Sequence, residues 1–180
     1  LSFSKLSVES LRFFLKGQSQ HVYAIYELLH NNSLGIALAS SPRESDPVLL
    51  DKQCISPVGF DRNEGMLPYP ARSFLGYRLL TEYFVFPEKY LFFDLSGLTR
   101  QHLSGIGNQL EIFVYLNRTS PDLEQNLSAD SFRLGCDPVV NLFPQRAEPI
   151  EITQTDTECR VVPDARRPLA ESPGRTDRWR

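Results

Sequence analysis

The chain has 180 residues, with 19 Lys plus Arg against 22 Asp plus Glu, and a formal net charge of −3. Folding at this size removes roughly 70% of the unfolded surface from water, so one domain with a real core is expected. There is no basic excess to release counterions from nucleic acid, and no apolar run approaches the ~20 residues of a bilayer crossing, so neither nucleic-acid binding nor membrane insertion is expected.

The sequence begins at Leu1 rather than at a methionine, which fits processing or an internal segment of a longer protein. In "LRFFLKG", Leu11, Phe13 and Leu15 alternate with Arg12, Phe14 and Lys16, the period of a half-buried strand. "SQHVYAIYELLHNN" then places Val22, Ile25, Tyr26 and Leu29 on one face at helical spacing. This predicts a helix over 19–31, with Ser19 as N-cap and Asn31 or Asn32 in a left-handed closing position. "LGIALAS" and "PVLL" read as strands separated by the turn-rich "SSPRESDP".

The stretch "ISPVGFDRNEGMLPYP", residues 55–70, holds three prolines and two glycines around Asp61, Arg62 and Glu64 and reads as a restrained loop. Pro70 suits the first turn of a second helix, in which Leu75, Leu79, Leu80, Tyr83 and Phe84 share a stripe until Pro87 stops it. "KYLFFDL" and "LEIFVYL" read as strands. Eight aromatics between Phe74 and Phe93 are expected at the centre of the core. "SFRLGC", "EPIEIT" and "CRVVP" complete the pattern as short strands, the last two joined by the "QTDTE" of a hairpin. The sum is an α+β fold, mainly antiparallel β-sheet and sandwich-like, with two principal helices. One domain over 1–168 is expected, followed by a disordered tail over 169–180 that has lost all apolar periodicity.

The search for catalytic chemistry returns little. The single G-x-G, at Gly105 to Gly107, leads into a strand and forms no phosphate cradle; G-x-S-x-G and H-E-x-x-H are absent. Cys54, Cys136 and Cys159 are odd in number and scattered, so neither a metal site nor a disulfide is expected, and a reducing compartment fits best. Three N-x-[ST] matches, at Asn31, Asn117 and Asn126, are read as coincidence. His21, His30 and His102 lack a visible orienting partner and are expected at the surface or as caps. Asp61 and Glu64 could form a hydrolase's carboxylate pair, and a β-type carbohydrate- or peptide-binding module is a further alternative. The reading preferred here is that the loop positions rather than catalyses: Pro57, Gly59, Phe60, Asp61, Pro68, Tyr69 and Pro70 shape it, with Phe60 and Tyr69 as apolar anchors to the core or to a partner. In "PDARRP", Asp164, Arg166 and Arg167 form a second candidate contact point.

"PVGFD" at 57–61, "MLPYP" at 66–70, "SFLGYRLLTEYFVFPEKYLFFDLSGL" at 73–98, "GCDPVVNLFPQRAEPI" at 135–150 and "VVPDARRP" at 161–168 together resemble, in order and spacing, the TssF (VasA/ImpG) family of type VI secretion baseplate subunits. Family members are much longer, so the resemblance implies an internal segment, and after Pro168 the family pattern stops. It also implies a structural wedge component without catalytic residues or cofactors. The implied setting is the bacterial cytoplasm, at the inner face of the envelope, with TssG, TssK, TssE and further TssF copies as partners.

Overall fold

A computed structural model describes residues 3, 8–70, 72–141, 146–149, 159–160, 162 and 178–179, and the structural statements below concern these. The chain divides into two compact units, Leu1–Pro138 and Val139–Arg180.

In the first unit the alternating "LRFFL" becomes strand β1 (Ser10–Leu15), and the helix predicted after it is α1 (Ser19–Asn31). Val22, Ile25 and Leu29 of α1 are buried, as their spacing requires. The caps differ from expectation. Gln18, not Ser19, is the N-cap, and Asn32 closes the helix at φ −116°, outside the left-handed region. Its side-chain amide instead donates to Asn117 Oδ1 at 2.8 Å, which holds the helix end to a neighbouring loop.

Strand β2 (Ser33–Ala39) runs antiparallel between β3 (Val48–Asp51) and β6 (Glu111–Leu116), and Ile36, Ala37, Leu38 and Ala39 are buried because it is the central strand. The other antiparallel sheet has the order β4 (Ile55–Pro57), β5 (Phe92–Ser96), β1, β7 (Phe132–Leu134). Its centre is fixed by cross-strand pairs. Phe13 opposes and stacks on Phe93 at 5.2 Å, and Phe14 opposes Phe92 at 4.7 Å. Next to the Phe13–Phe93 pair, Arg12 donates two 2.8 Å hydrogen bonds to Asp94. A one-residue slip would break all three pairs and turn every side chain to the other face. Both sheets and α1 feed one buried cluster, which includes Leu15, Ile25, Leu29, Ile36, Leu38 and Phe93. The first unit is thus α+β and mainly antiparallel.

Several elements depart from the sequence reading. Strand β4 emerges from the start of the predicted loop; as the edge of its sheet it tolerates Pro57, whose missing N–H would face away from the ladder. The second helix, α2 (Leu75–Val85), starts later than Pro70, because Ser73 N–H closes a turn onto the Pro70 carbonyl at 2.9 Å. Residues 89–91, expected to begin a strand, belong instead to a 3-10 turn, Pro87–Leu91. A short helix, α3 (Pro121–Asn126), buries Leu123 where no element was expected. His30, expected at the surface or as a cap, is half-buried against the rings of Tyr26 at 4.3 Å and Phe93 at 6.5 Å.

In the second unit Glu148 N–H donates to the Val162 carbonyl at 2.9 Å, and β8 (Cys159–Arg160) pairs antiparallel with β9 (Arg178–Trp179). Residues 150–153 of "EPIEIT" lie outside the described residues.

Candidate partner-docking site

Strand β4 hands the chain to the 58–70 loop through Gly59, whose φ of +101° is a conformation that L side chains resist. A β-carbon there would also meet Lys89 Cε at 3.3 Å. The loop is then tied from inside by Glu64. Its Oε2 accepts the Gly59 N–H at 2.7 Å and the Asp61 N–H at 3.0 Å, so one carboxylate closes two backbone donors.

The second tie comes from α2. Arg78 donates Nη1 to the Arg62 carbonyl at 2.6 Å and Nη2 to the Asp61 carbonyl at 2.7 Å. One turn on, Glu82 Oε1 accepts the Met66 N–H at 2.8 Å, and Glu82 Oε2 pairs with Lys89 Nζ. Arg78, Glu82 and Lys89 are all at most 5% exposed. Taking three ions out of water costs several kcal/mol each before their attraction offsets it, so this arrangement needs the loop carbonyls and amides that complete it.

Because α2 turns its only two charged side chains inward, its apolar side chains point out. Phe74, Tyr77, Leu80, Phe84 and Val85 are exposed, Phe84 at 81%. The sequence reading placed this stripe and the aromatics of this region in the core. That holds for Tyr90, Phe92 and Phe93 but not for Phe74, Tyr77, Tyr83 and Phe84. The physical reason is the buried trio, which takes the inward face that the apolar stripe was expected to occupy. Tyr90 joins the helix to the loop. Its hydroxyl donates to the Leu79 carbonyl at 3.0 Å, and its ring meets Phe60 at 4.9 Å and Tyr83 at 6.1 Å. A contiguous exposed apolar surface of this kind marks an interaction face. Between it and the loop lies a cavity of about 420 Å³.

The loop candidates from the sequence are brought together here. Pro57 stands exposed on the edge strand, Gly59 makes the turn, and Phe60 packs on Tyr90 while 43% exposed. Asp61 contributes its backbone N–H and carbonyl to the ties, and Pro68, Tyr69 and Pro70 wall the cavity. Asp164, Arg166 and Arg167 lie outside the described residues. The residues missed are Arg78, Glu82 and Lys89. A signal existed in the i, i+4 spacing of the only charges on α2, which puts both on one face opposite the aromatics. Among the described residues no group of three His, Cys, Asp or Glu side chains could hold a metal ion, Cys54 and Cys136 are free thiols, and no helix is long and apolar enough to cross a membrane.

Comparison with known proteins adds three findings. The family model of the type VI secretion system protein TssF matches residues 1–173. The type VI secretion system component TssF1 of Pseudomonas aeruginosa is 33% identical over 169 residues, which are 94% of this chain and 27% of that protein. A chain in the cryo-electron microscopy structure of the TssK-TssF-TssG baseplate subcomplex of the type VI secretion system superposes with a TM-score of 0.64 at 26% identity, over 93% of this chain and 31% of that one. The chain thus spans about a quarter of the length of the curated relative it matches.

Proposed function

Since the chain belongs to the TssF family of the type VI secretion system, we propose that it is a structural segment of a baseplate subunit and that it docks onto neighbouring subunits through the aromatic face of α2. TssG and TssK, named with TssF in the subcomplex that holds the structural relative, are the first partners to consider, with TssE and further TssF copies after them. Assembly would take place in the bacterial cytoplasm at the inner face of the envelope. The observation that carries the reading is the inverted burial of α2: charges at 78 and 82 inside, rings at 74, 77 and 84 outside. A helix left this way in water is stable only through its inner ties, and its outer face gains from being covered.

The role is structural rather than catalytic. Glu64, half of the loop's carboxylate pair, turns Oε2 onto two backbone amides of its own loop, which gives it a holding role there. The test is co-purification of the chain with TssG and TssK, beside Tyr77→Ser and Phe84→Ser variants whose folding is checked by circular dichroism. Folded variants that lose the partners support the reading. Folded variants that retain them overturn it.

A further inference from the structure

We propose that the cavity at the N-terminal end of α2 is a carboxylate-binding site that receives an acidic side chain of the subunit covering the aromatic face; the proposal rests on the docking reading above. One wall is the loop through Arg62, Met66 and Tyr69, and the other is the helix start at Ser73, Leu75 and Arg78. Two arginines and no acidic residue line it. Arg78 is 3% exposed, and its Nε–H has no hydrogen-bond partner; the Glu82 oxygen it faces is 3.9 Å away. The Tyr69 hydroxyl is also buried and without a partner. Buried donors in folded proteins ordinarily find acceptors, so the Tyr69 hydroxyl left open on the cavity, beside a buried Arg78 whose Nε is met by Glu82 only at 3.9 Å, points to an acceptor that arrives from outside.

The electrostatics have the same sign. Arg78 and Lys89 share the single buried counter-charge of Glu82, which leaves one positive charge in excess. Phe74, the N-cap of α2, offers no side-chain acceptor to the first-turn amides, so the positive end of the helix dipole is uncovered on the same cavity. Arg62 is exposed at its wall. A carboxylate supplies what this set lacks, a negative charge with two acceptor oxygens. A peptide acid fits better than a free anion because the exposed ring of Phe74 lines the cavity and also belongs to the aromatic face, so apolar neighbours of the acid would lie on rings.

The test titrates the 180-residue chain, followed by amide NMR, with the blocked heptapeptide Gly-Leu-Phe-Glu-Leu-Phe-Gly, its central-Gln counterpart, and sodium phosphate. The Glu peptide should shift amides within 62–78 and bind about tenfold or more tighter than the Gln peptide, the ratio expected of one good charge-assisted contact. Tyr69→Phe and Arg62→Gln should each weaken the Glu peptide by about three- to tenfold, more than they weaken the Gln peptide, and leave the melting temperature unchanged. Equal affinities for the two peptides, no binding of either at millimolar concentration, or shifts elsewhere would overturn the site. Phosphate that competes weakly with the Glu peptide supports it; phosphate that saturates the cavity at lower concentration overturns the peptide source. Failure here with Tyr77→Ser and Phe84→Ser still losing co-purification removes only the carboxylate site, whereas aromatic variants that keep their partners remove the docking reading itself.

Discussion

The ring of Phe74 folds over Gly76 so closely that a β-carbon on Gly76 would stand 2.5 Å from the ring's Cε1. Glycine in the first turn of α2 therefore does not serve helix stability; it makes room for an exposed ring on the proposed docking face. Gly76→Ala separates the two effects. Alanine favours the helix by about 0.5–1 kcal/mol, and the ring, 69% exposed, is free to swing away. We expect an unchanged or raised melting temperature together with weaker capture of the partner. A lowered melting temperature would show that the ring is pinned where it lies.

The buried trio gives an asymmetric prediction. Glu82→Gln leaves Arg78 and Lys89 buried without a counter-charge and should cost about 3–5 kcal/mol in urea denaturation. The triple variant Arg78→Met, Glu82→Leu, Lys89→Met removes the ions altogether and should recover much of that loss. It also removes the donors to the Asp61 and Arg62 carbonyls and the acceptor of the Met66 amide. Faster hydrogen exchange across 59–66 in a folded triple variant is the expected signature. A triple variant no more stable than Glu82→Gln would mean that the trio stabilises by more than charge balance.

What the sequence made legible follows from period. Strand β1 and helix α1 were readable because alternate or helically spaced apolar residues do face the core there, and tertiary packing agrees with local pattern. The same rule placed α2 correctly but inverted it. Periodicity reports that a helix has two faces, and which one is buried was decided by hydrogen bonds from Arg78 and Glu82 to the backbone of a loop remote from them in sequence and by the pairing of Glu82 with Lys89. Strand β4 and helix α3 were missed for another reason: three residues ending in Pro57, and six around the single buried Leu123, are too short to show a period. Ser120, Pro121, Asp122 and Glu124 nonetheless carried the start signal of α3. In the loop, the restraint on 55–70 could be read from its prolines and glycines, but the residues that hold it, Arg78, Glu82 and Lys89, could not be read from the loop itself.

The two carboxylates of that loop should behave differently. Glu64→Ala strips the acceptor from the Gly59 amide, which is buried, and from the Asp61 amide, and an unpaired buried donor costs about 1–3 kcal/mol. Asp61→Asn keeps the backbone atoms through which residue 61 is tied and should stay within about 0.5 kcal/mol of the parent. Chemical denaturation of both variants checks this. An Asp61 effect as large as that of Glu64 would restore the case for a paired carboxylate function.

Acid sensitivity should centre on His30. Its ring sits between Tyr26 and Phe93, its Nε2 is buried without a partner, and desolvation lowers its pKa below the usual histidine value of 6.5. Above about pH 7.5 the imidazole is neutral in both folded and unfolded chains and contributes no pH dependence. As the pH falls through 6.5 the unfolded chain takes up the proton while the folded one resists it, so stability declines until the lowered folded pKa is passed. The interval in which the histidine should show itself runs from about pH 7.5 to about 5. His30→Phe replaces the ring with one that cannot charge and should flatten the fall in stability across that interval. A variant with the same slope as the parent would show that protonated His30 is accommodated by its aromatic neighbours and that acid acts elsewhere.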